Sequence, residues 1–196
     1  MPADLVLATL RHLCQTLKRL DLSCALIGGL ALAIWKHPRF TKDVDLLVAL
    51  GDTNTDNLLR NLIDAGFRAK RTEPFIKIDE MEFLQLLYEP EDSFIEVQID
   101  LLLVRTSYQQ EAIRRRIPVD STELEFEVDV LACEDLIVHK LLAGRMIDLA
   151  DSQELLRANR SLLDVEYLAR WINNLGLRAE FEKAWEEAFP GEQAPV

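Results

Sequence analysis

The chain has 196 residues, a length that fits one domain or a compact core with a helical appendage, and 49% of them are hydrophobic, ample for a packed core. A formal net charge of −12 argues against broad, non-specific binding of DNA or RNA, because a generally acidic surface repels the phosphate backbone. No apolar run approaches the ~20 residues that span a bilayer, Asp4, Arg11 and Lys18 interrupt any signal-peptide layout, and the scattered Cys14, Cys24 and Cys133 read as core thiols; together these predict a cytoplasmic protein with no membrane partner.

Val6, Leu10, Leu13, Leu17 and Leu20 recur at three and four residues and predict an amphipathic helix over 4–20. Cys24–Ile27 reads as a short buried strand, Gly28-Gly29 as a tight turn, and Leu30–Lys36 as a helix that Pro38 terminates. His37 is therefore a helix-end residue rather than a ligand. The next strand, 43–48, has two unlike faces: Val44, Leu46 and Val48 point to a core, and Asp43 and Asp45 point the other way. Two carboxylates two residues apart on a strand project to one side, roughly 6–7 Å apart. Like charges held that close repel unless a proton or cation intervenes, and a divalent metal with oxygen ligands is the simplest solution. The glycine pair lets backbone approach a ligand and opens a helix whose N-terminus favours phosphate. One segment thus suggests metal, phosphate and a nucleotide-sized gap.

A helix carrying Leu58, Leu59, Leu62 and Ile63 follows to about Ala65 and closes at Gly66. Segments 67–71, 75–78 and 83–89 predict a meander of short strands. In 94–103, Ile95, Val97, Ile99 and Leu101 alternate with Glu96, Gln98 and Asp100, which makes a second strand with an acidic face. Glu96 and Asp100 lie about 13 Å apart at strand rise, so only one of them can join Asp43 and Asp45. Residues 108–116 predict a helix, Pro118 begins an extended segment, and 124–130 predicts an edge-type strand whose Glu125, Glu127 and Asp129 form a solvated face. The basic clusters Arg68/Lys70/Arg71 and Arg114/Arg115/Arg116 read first as solvated ends of elements and second as places for a phosphate-bearing partner.

From Cys133 the pattern turns helical: 134–145 is amphipathic, and 146–159, 164–174 and 178–188 follow, with a frayed tail from Pro190. This divides the chain into a core, 1–132, and a C-terminal helical segment, 133–196, packed on it. In the first of these helices Lys140 offers a point charge and Arg145 a fork, both suited to a triphosphate. Asp148 and Asp151 share one helical face, where acids of an early turn also serve the helix dipole and an Arg145 pairing. His139 reads as a packing residue.

The pattern Gly28-Gly29, then Arg39-x-Thr41-x-Asp43-x-Asp45, resembles the signature of polymerase β-type nucleotidyltransferases, closest to the small bacterial branch of abortive-infection and toxin-type transferases; thirteen residues separate Gly29 from Asp43, more than is usual there. Ile99-Asp100-Leu101 resembles the family's hydrophobic–Asp–hydrophobic element, which selects Asp100 over Glu96 as the third carboxylate. Lys140-x4-Arg145-x2-Asp148-x2-Asp151 is similar to the element that follows the family's catalytic core. The resemblance covers roughly residues 24–151. It implies an α/β (α+β) fold: a mixed sheet with helices packed on one face, then a helical segment. It implies transfer of a nucleoside monophosphate from ATP or another nucleoside triphosphate to an acceptor hydroxyl. Asp43, Asp45 and Asp100 would hold two magnesium ions, Asp100 would take the acceptor's proton, and Gly28, Gly29, Thr41, Lys140 and Arg145 would contact the nucleotide. The acceptor stays open among an RNA end, a protein side chain and a small molecule, and a protein partner of toxin–antitoxin type is possible. Two alternatives stand beside this: a non-catalytic nucleotide- or protein-binding module of the same fold, and, more weakly, a metal-dependent phosphohydrolase.

Overall fold

A computed structural model describes residues 3–121 and 126–196. Leu124 and Glu125 of the expected strand 124–130 lie outside the described residues. The chain divides into two compact units, one formed by Met1–Leu30 and Phe40–Val130, the other by Ala31–Arg39 and Leu131–Val196.

The first unit is built on a mixed sheet. Its strands are β1 (Ser23–Leu26), β2 (Asp43–Ala49), β3 (Arg68–Ala69), β4 (Phe75–Ile78), β5 (Met81–Tyr88), β6 (Val97–Leu103), β7 (Ile117–Ser121) and β8 (Phe126–Val130). They run in the order β3-β5-β6-β2-β1-β8-β7, with β4 paired to β5. β2 is central, antiparallel to β1 and parallel to β6, and β6 in turn is antiparallel to β5. The period-2 pattern explains why: Val44, Leu46, Val48, Ile99, Leu101 and Leu103 are fully buried, as strand alternation requires of a covered face. Helices α1 (Ala3–Arg19) and α4 (Ser107–Arg114) both contact β1 and β2. On α1 the buried stripe is Val6, Leu10, Leu13 and Leu17, the three-and-four spacing seen in the sequence. α4 is opened by a capping box between Thr106 and Gln109. Helix α3 (Thr55–Asp64) begins where the Asn54 side chain accepts a hydrogen bond from Asn57 N.

Three local expectations are corrected. The strand of 94–103 begins only at Val97: Asp92 adopts a left-handed φ of 59°, the Ser93 hydroxyl takes the Ile95 N–H, and Phe94 is 99% exposed. Residues 67–89 are not a simple meander, because β3 and β4 both pair with β5 and not with each other. β8 is not an edge: it lies between β1 and β7, and its half-polar pattern reflects one solvated face.

The second unit consists of the end of α2 (Gly28–Ile34, whose first residues belong to the first unit) with α5 (Cys133–Ala143), α6 (Met146–Asn159), a 3-10 turn at Arg160–Leu162, α7 (Val165–Asn174) and α8 (Arg178–Ala188). α5 is buried on nearly every side rather than amphipathic, because α6 and α7 both pack on it. Its acids are satisfied internally: Tyr167 donates its hydroxyl to Asp135, and Asp164 donates its N–H to Glu134. Gly144 ends α5 at a left-handed φ of 65°. Residues 31–39 are tied in by Trp35, whose indole donates to the Leu131 carbonyl and whose own carbonyl accepts from Asn159. Among the described residues, no helix is long and apolar enough to cross a membrane.

Candidate functional site

The parallel pairing of β2 and β6 sets Asp45 directly beside Asp100 and Asp43 beside Gln98. Cross-strand neighbours on one face have Cβ atoms about 5 Å apart, so a register formed by buried Leu and Val residues automatically brings the acids together. One carboxylate oxygen from each of Asp43, Asp45 and Asp100 lies within 4.8 Å of the others, and all three residues are half-buried. Ligand oxygens of a single magnesium ion, at 2.0–2.1 Å from the metal, sit no more than about 4.2 Å apart. The set therefore needs only slight closure around one ion, and it also suits two ions about 4 Å apart that share ligands. All three donors are hard oxygens, the chemistry that magnesium, manganese and calcium prefer. The residues fit a divalent cation.

The glycines have a packing role that their spacing alone does not reveal. Gly28 has a φ of +66°, and a Cβ there would lie 1.9 Å from Asp45 Oδ2 and 2.5 Å from its Cγ. A Cβ on Gly29 would lie 2.7 Å from Thr41 Cβ and 2.8 Å from its Oγ1. Both are closer than any real side chain tolerates, so the pair makes room for the Asp45 carboxylate and for Thr41. Thr41 donates its hydroxyl to Asp43 Oδ1 at 2.6 Å, and Ile27 N donates to the Asp45 carbonyl at 2.9 Å. α2 starts at Gly28, two residues earlier than the sequence pattern suggested.

Asp100 is clamped by amides. Gln85 Nε2 donates to its Oδ1 at 2.9 Å and Gln98 Nε2 donates to its Oδ2 at 2.8 Å. Gln98 stands two residues before Asp100 on the polar face that the alternation already marked, whereas nothing in the sequence pointed to Gln85, whose role depends on β5 lying next to β6. Glu96 precedes β6 and pairs with Arg68 at 2.5 Å, away from the three acids along the strand direction. Asp129 pairs with Arg116 at 2.7 Å, and Glu127 is exposed.

Gly28, Gly29, Thr41, Asp43, Asp45 and Asp100 are thus brought together within the first unit. Lys140 and Arg145 belong to the second, in a buried ionic cluster. The Lys140 ammonium, 7% exposed, lies 3.1 Å from Asp148 Oδ1 and 2.8 Å from Asp151 Oδ2. Arg145, 68% exposed, bonds Asp148 at 2.5 Å. Asp151 also meets His37 at 3.2 Å and Arg39 at 3.4 Å. Burial alone would raise the Asp148 carboxyl, but the Arg145 hydrogen bonds and the Lys140 charge outweigh it and hold the group below the usual carboxylate range. The acids counted in the sequence as dipole or pairing residues are therefore the buried partners of Lys140. His139 is neutral at pH 7, its pKa pushed down to about 4 by burial, and its Nδ1–H donates to the Asp135 carbonyl.

No curated protein matches this chain significantly in sequence. Solved structures share its fold. An antigenic nucleotidyltransferase-like protein from Paracoccidioides brasiliensis aligns with a TM-score of 0.51 at 18% identity, covering 95% of this chain and 94% of that one. The antibiotic-resistance factor ANT(2'')-Ia aligns in its solution structure with a TM-score of 0.54 at 16% identity, covering 89% of this chain and 94% of its own. The same factor's crystal structure in complex with adenylyl-2''-tobramycin gives a TM-score of 0.51 at 15% identity, over 89% and 98% of the two chains. The mixed α/β sheet with its acidic strand pair is thus a nucleotidyltransferase fold. The family model for the nucleotidyl transferase AbiEii toxin of type IV toxin–antitoxin systems matches residues 11–195, and the chain belongs to that family.

Proposed function

We propose that the protein transfers a nucleoside monophosphate from a nucleoside triphosphate to an acceptor hydroxyl, using divalent metal held by Asp43, Asp45 and Asp100. The observation that carries this reading is the convergence of three carboxylate oxygens within 4.8 Å, next to a glycine that exists to admit one of them. Magnesium, when bound, lowers the pKa of an attacking hydroxyl and steadies the α-phosphate and the departing pyrophosphate. The chain's own residues set up that chemistry. Thr41 orients Asp43 through its hydroxyl, the glycine backbone at 28–29 leaves the Asp45 carboxylate accessible, and Gln85 and Gln98 fix Asp100. Asp100 is the acceptor-side carboxylate and the proposed proton acceptor. Gly28, Gly29 and Thr41 border the nucleotide.

In the second unit Arg145 is the proposed triphosphate contact, since its guanidinium is largely exposed while it bonds Asp148. A phosphate role for Lys140 requires it to release Asp148 and Asp151, so its first task is to neutralise them. Membership of a toxin–antitoxin family supports a protein partner as well.

The test is incubation of the purified protein with labelled ATP, GTP, CTP and UTP, magnesium and cell extract. Label transferred to a macromolecule or small acceptor with pyrophosphate release supports the transferase. Release of phosphate alone indicates a phosphohydrolase, and binding without turnover indicates a non-catalytic module.

A further inference from the structure

Lys70, one of the basic residues at the end of β3, is not simply solvated. Its backbone N–H donates to the Gln85 carbonyl at 3.1 Å, which places its side chain beside the row formed by Gln85, Asp100 and Asp45. Its ammonium donates to Gln98 Oε1. An ammonium has three donors and no acceptor, so it dictates which end of the Gln98 amide it meets. With Oε1 turned to Lys70, the Gln98 Nε2 must face Asp100, and it does, at 2.8 Å. Gln85 completes the arrangement with its own Nε2 on the other carboxylate oxygen; its Oε1, shielded from solvent, has no hydrogen-bond partner among the described residues. Each Asp100 oxygen thus spends one acceptor position on an amide and keeps another for a ligand.

We propose that Lys70 and Gln98 are positioning residues for the metal site: Lys70 locks the Gln98 amide, and Gln98 with Gln85 fixes the rotamer of Asp100 for a divalent cation. This rests on Asp100 being a metal ligand. Residues that orient a ligand in this way typically change metal affinity by 10–100-fold when lost. The sign of the effect separates positioning from simple charge. Through space, removing a lysine near a cation site relieves like-charge repulsion and tightens cation binding. Loss of positioning weakens it.

The experiment is calorimetric titration of the full-length protein with manganese chloride, together with thermal melts in EDTA to establish that each variant is folded. Lys70→Met is expected to weaken manganese binding about tenfold, and Lys70→Arg, which keeps a donor for Gln98 Oε1, to restore most of it. Gln98→Leu, which leaves Lys70 in place, is the second variant and is expected to weaken binding similarly. Unchanged or tighter binding in folded Lys70→Met or Gln98→Leu, while Asp100→Asn abolishes it, overturns the positioning assignment alone. Absence of manganese binding by the unaltered protein overturns the metal-site reading and this assignment with it.

Discussion

Gly28 and Asp45 are in such close contact that a methyl group on the glycine would overlap the carboxylate, at 1.9 Å from Oδ2. Gly28→Ala combines that overlap with a left-handed φ of +66°. The conformation alone costs about 1–2 kcal/mol for a residue with a Cβ, and the carboxylate must also swing away. Lower stability and lost manganese binding are expected together, measured by urea unfolding and titration. Gly29→Val is expected to push Thr41 away, because a Cβ there lies 2.7 Å from Thr41 Cβ, lowering stability and nucleotide binding together; a folded variant with unchanged nucleotide affinity would make this glycine purely structural.

The acids make an opposite stability prediction. Without metal, Asp43 and Asp45 hold like charges together, so Asp43→Asn with Asp45→Asn is expected to raise the melting temperature of the metal-free protein. Ligands that bind the native state stabilise it by mass action, so magnesium-ATP is expected to raise the melting temperature of the original protein and not of the double variant. Equal responses in both would place the site elsewhere.

Lys140→Met is expected to be severely destabilising. It removes the ammonium between two buried carboxylates, leaving Asp148 to Arg145 alone and Asp151 to His37 and Arg39, and removing one partner from a buried ion pair costs roughly 3–5 kcal/mol. Adding Asp148→Asn and Asp151→Asn to the same chain is expected to recover much of the loss in denaturant unfolding. If Lys140→Met unfolds no more easily than the original, Lys140 adds nothing to stability beyond the other partners of the two acids.

His139 gives a pH dependence with a definite sign. Its folded pKa is pushed down to about 4 from 6.5 by burial. Between these values the unfolded chain binds a proton that the folded chain refuses, so stability falls as pH drops from 6.5 towards 4. The loss amounts to roughly 3 kcal/mol across the window. Unfolding free energies measured at several pH values are expected to show this slope in the original protein and a reduced one in His139→Leu.

Thiol reactivity is expected to differ among the cysteines. A hydrogen bond from Cys14 lowers the Cys24 pKa, aided by Arg116, whereas burial pushes Cys133 up to about 12. The thiolate is the reactive form, so iodoacetamide at mildly alkaline pH is expected to label Cys24 well before Cys133, as peptide mass mapping would show.

Much of the architecture was readable from local pattern. The three-and-four spacing of α1, the alternation in β2 and β6, and the glycine-to-Asp43/Asp45 segment are statements about which face of an element is wet, and a covered face needs only the identity of its own residues. The same logic fails at Ile95, where alternation continued past the point at which Ser93 captures the backbone, and on α5, where the apolar pattern could not show that neighbours cover the remaining sides. Alternation places Asp100 on a polar face but cannot say which strand lies beside it; the β2–β6 register supplies Asp45, and the β5–β6 register supplies Gln85. Lys140 reads from sequence as a cation open to phosphate, yet its ammonium is closed between Asp148 and Asp151. Residue type and spacing decided the face and the charge of each candidate; only long-range strand pairing and helix packing decided its partners, because hydrogen bonds and ion pairs form between side chains that the chain order does not bring together.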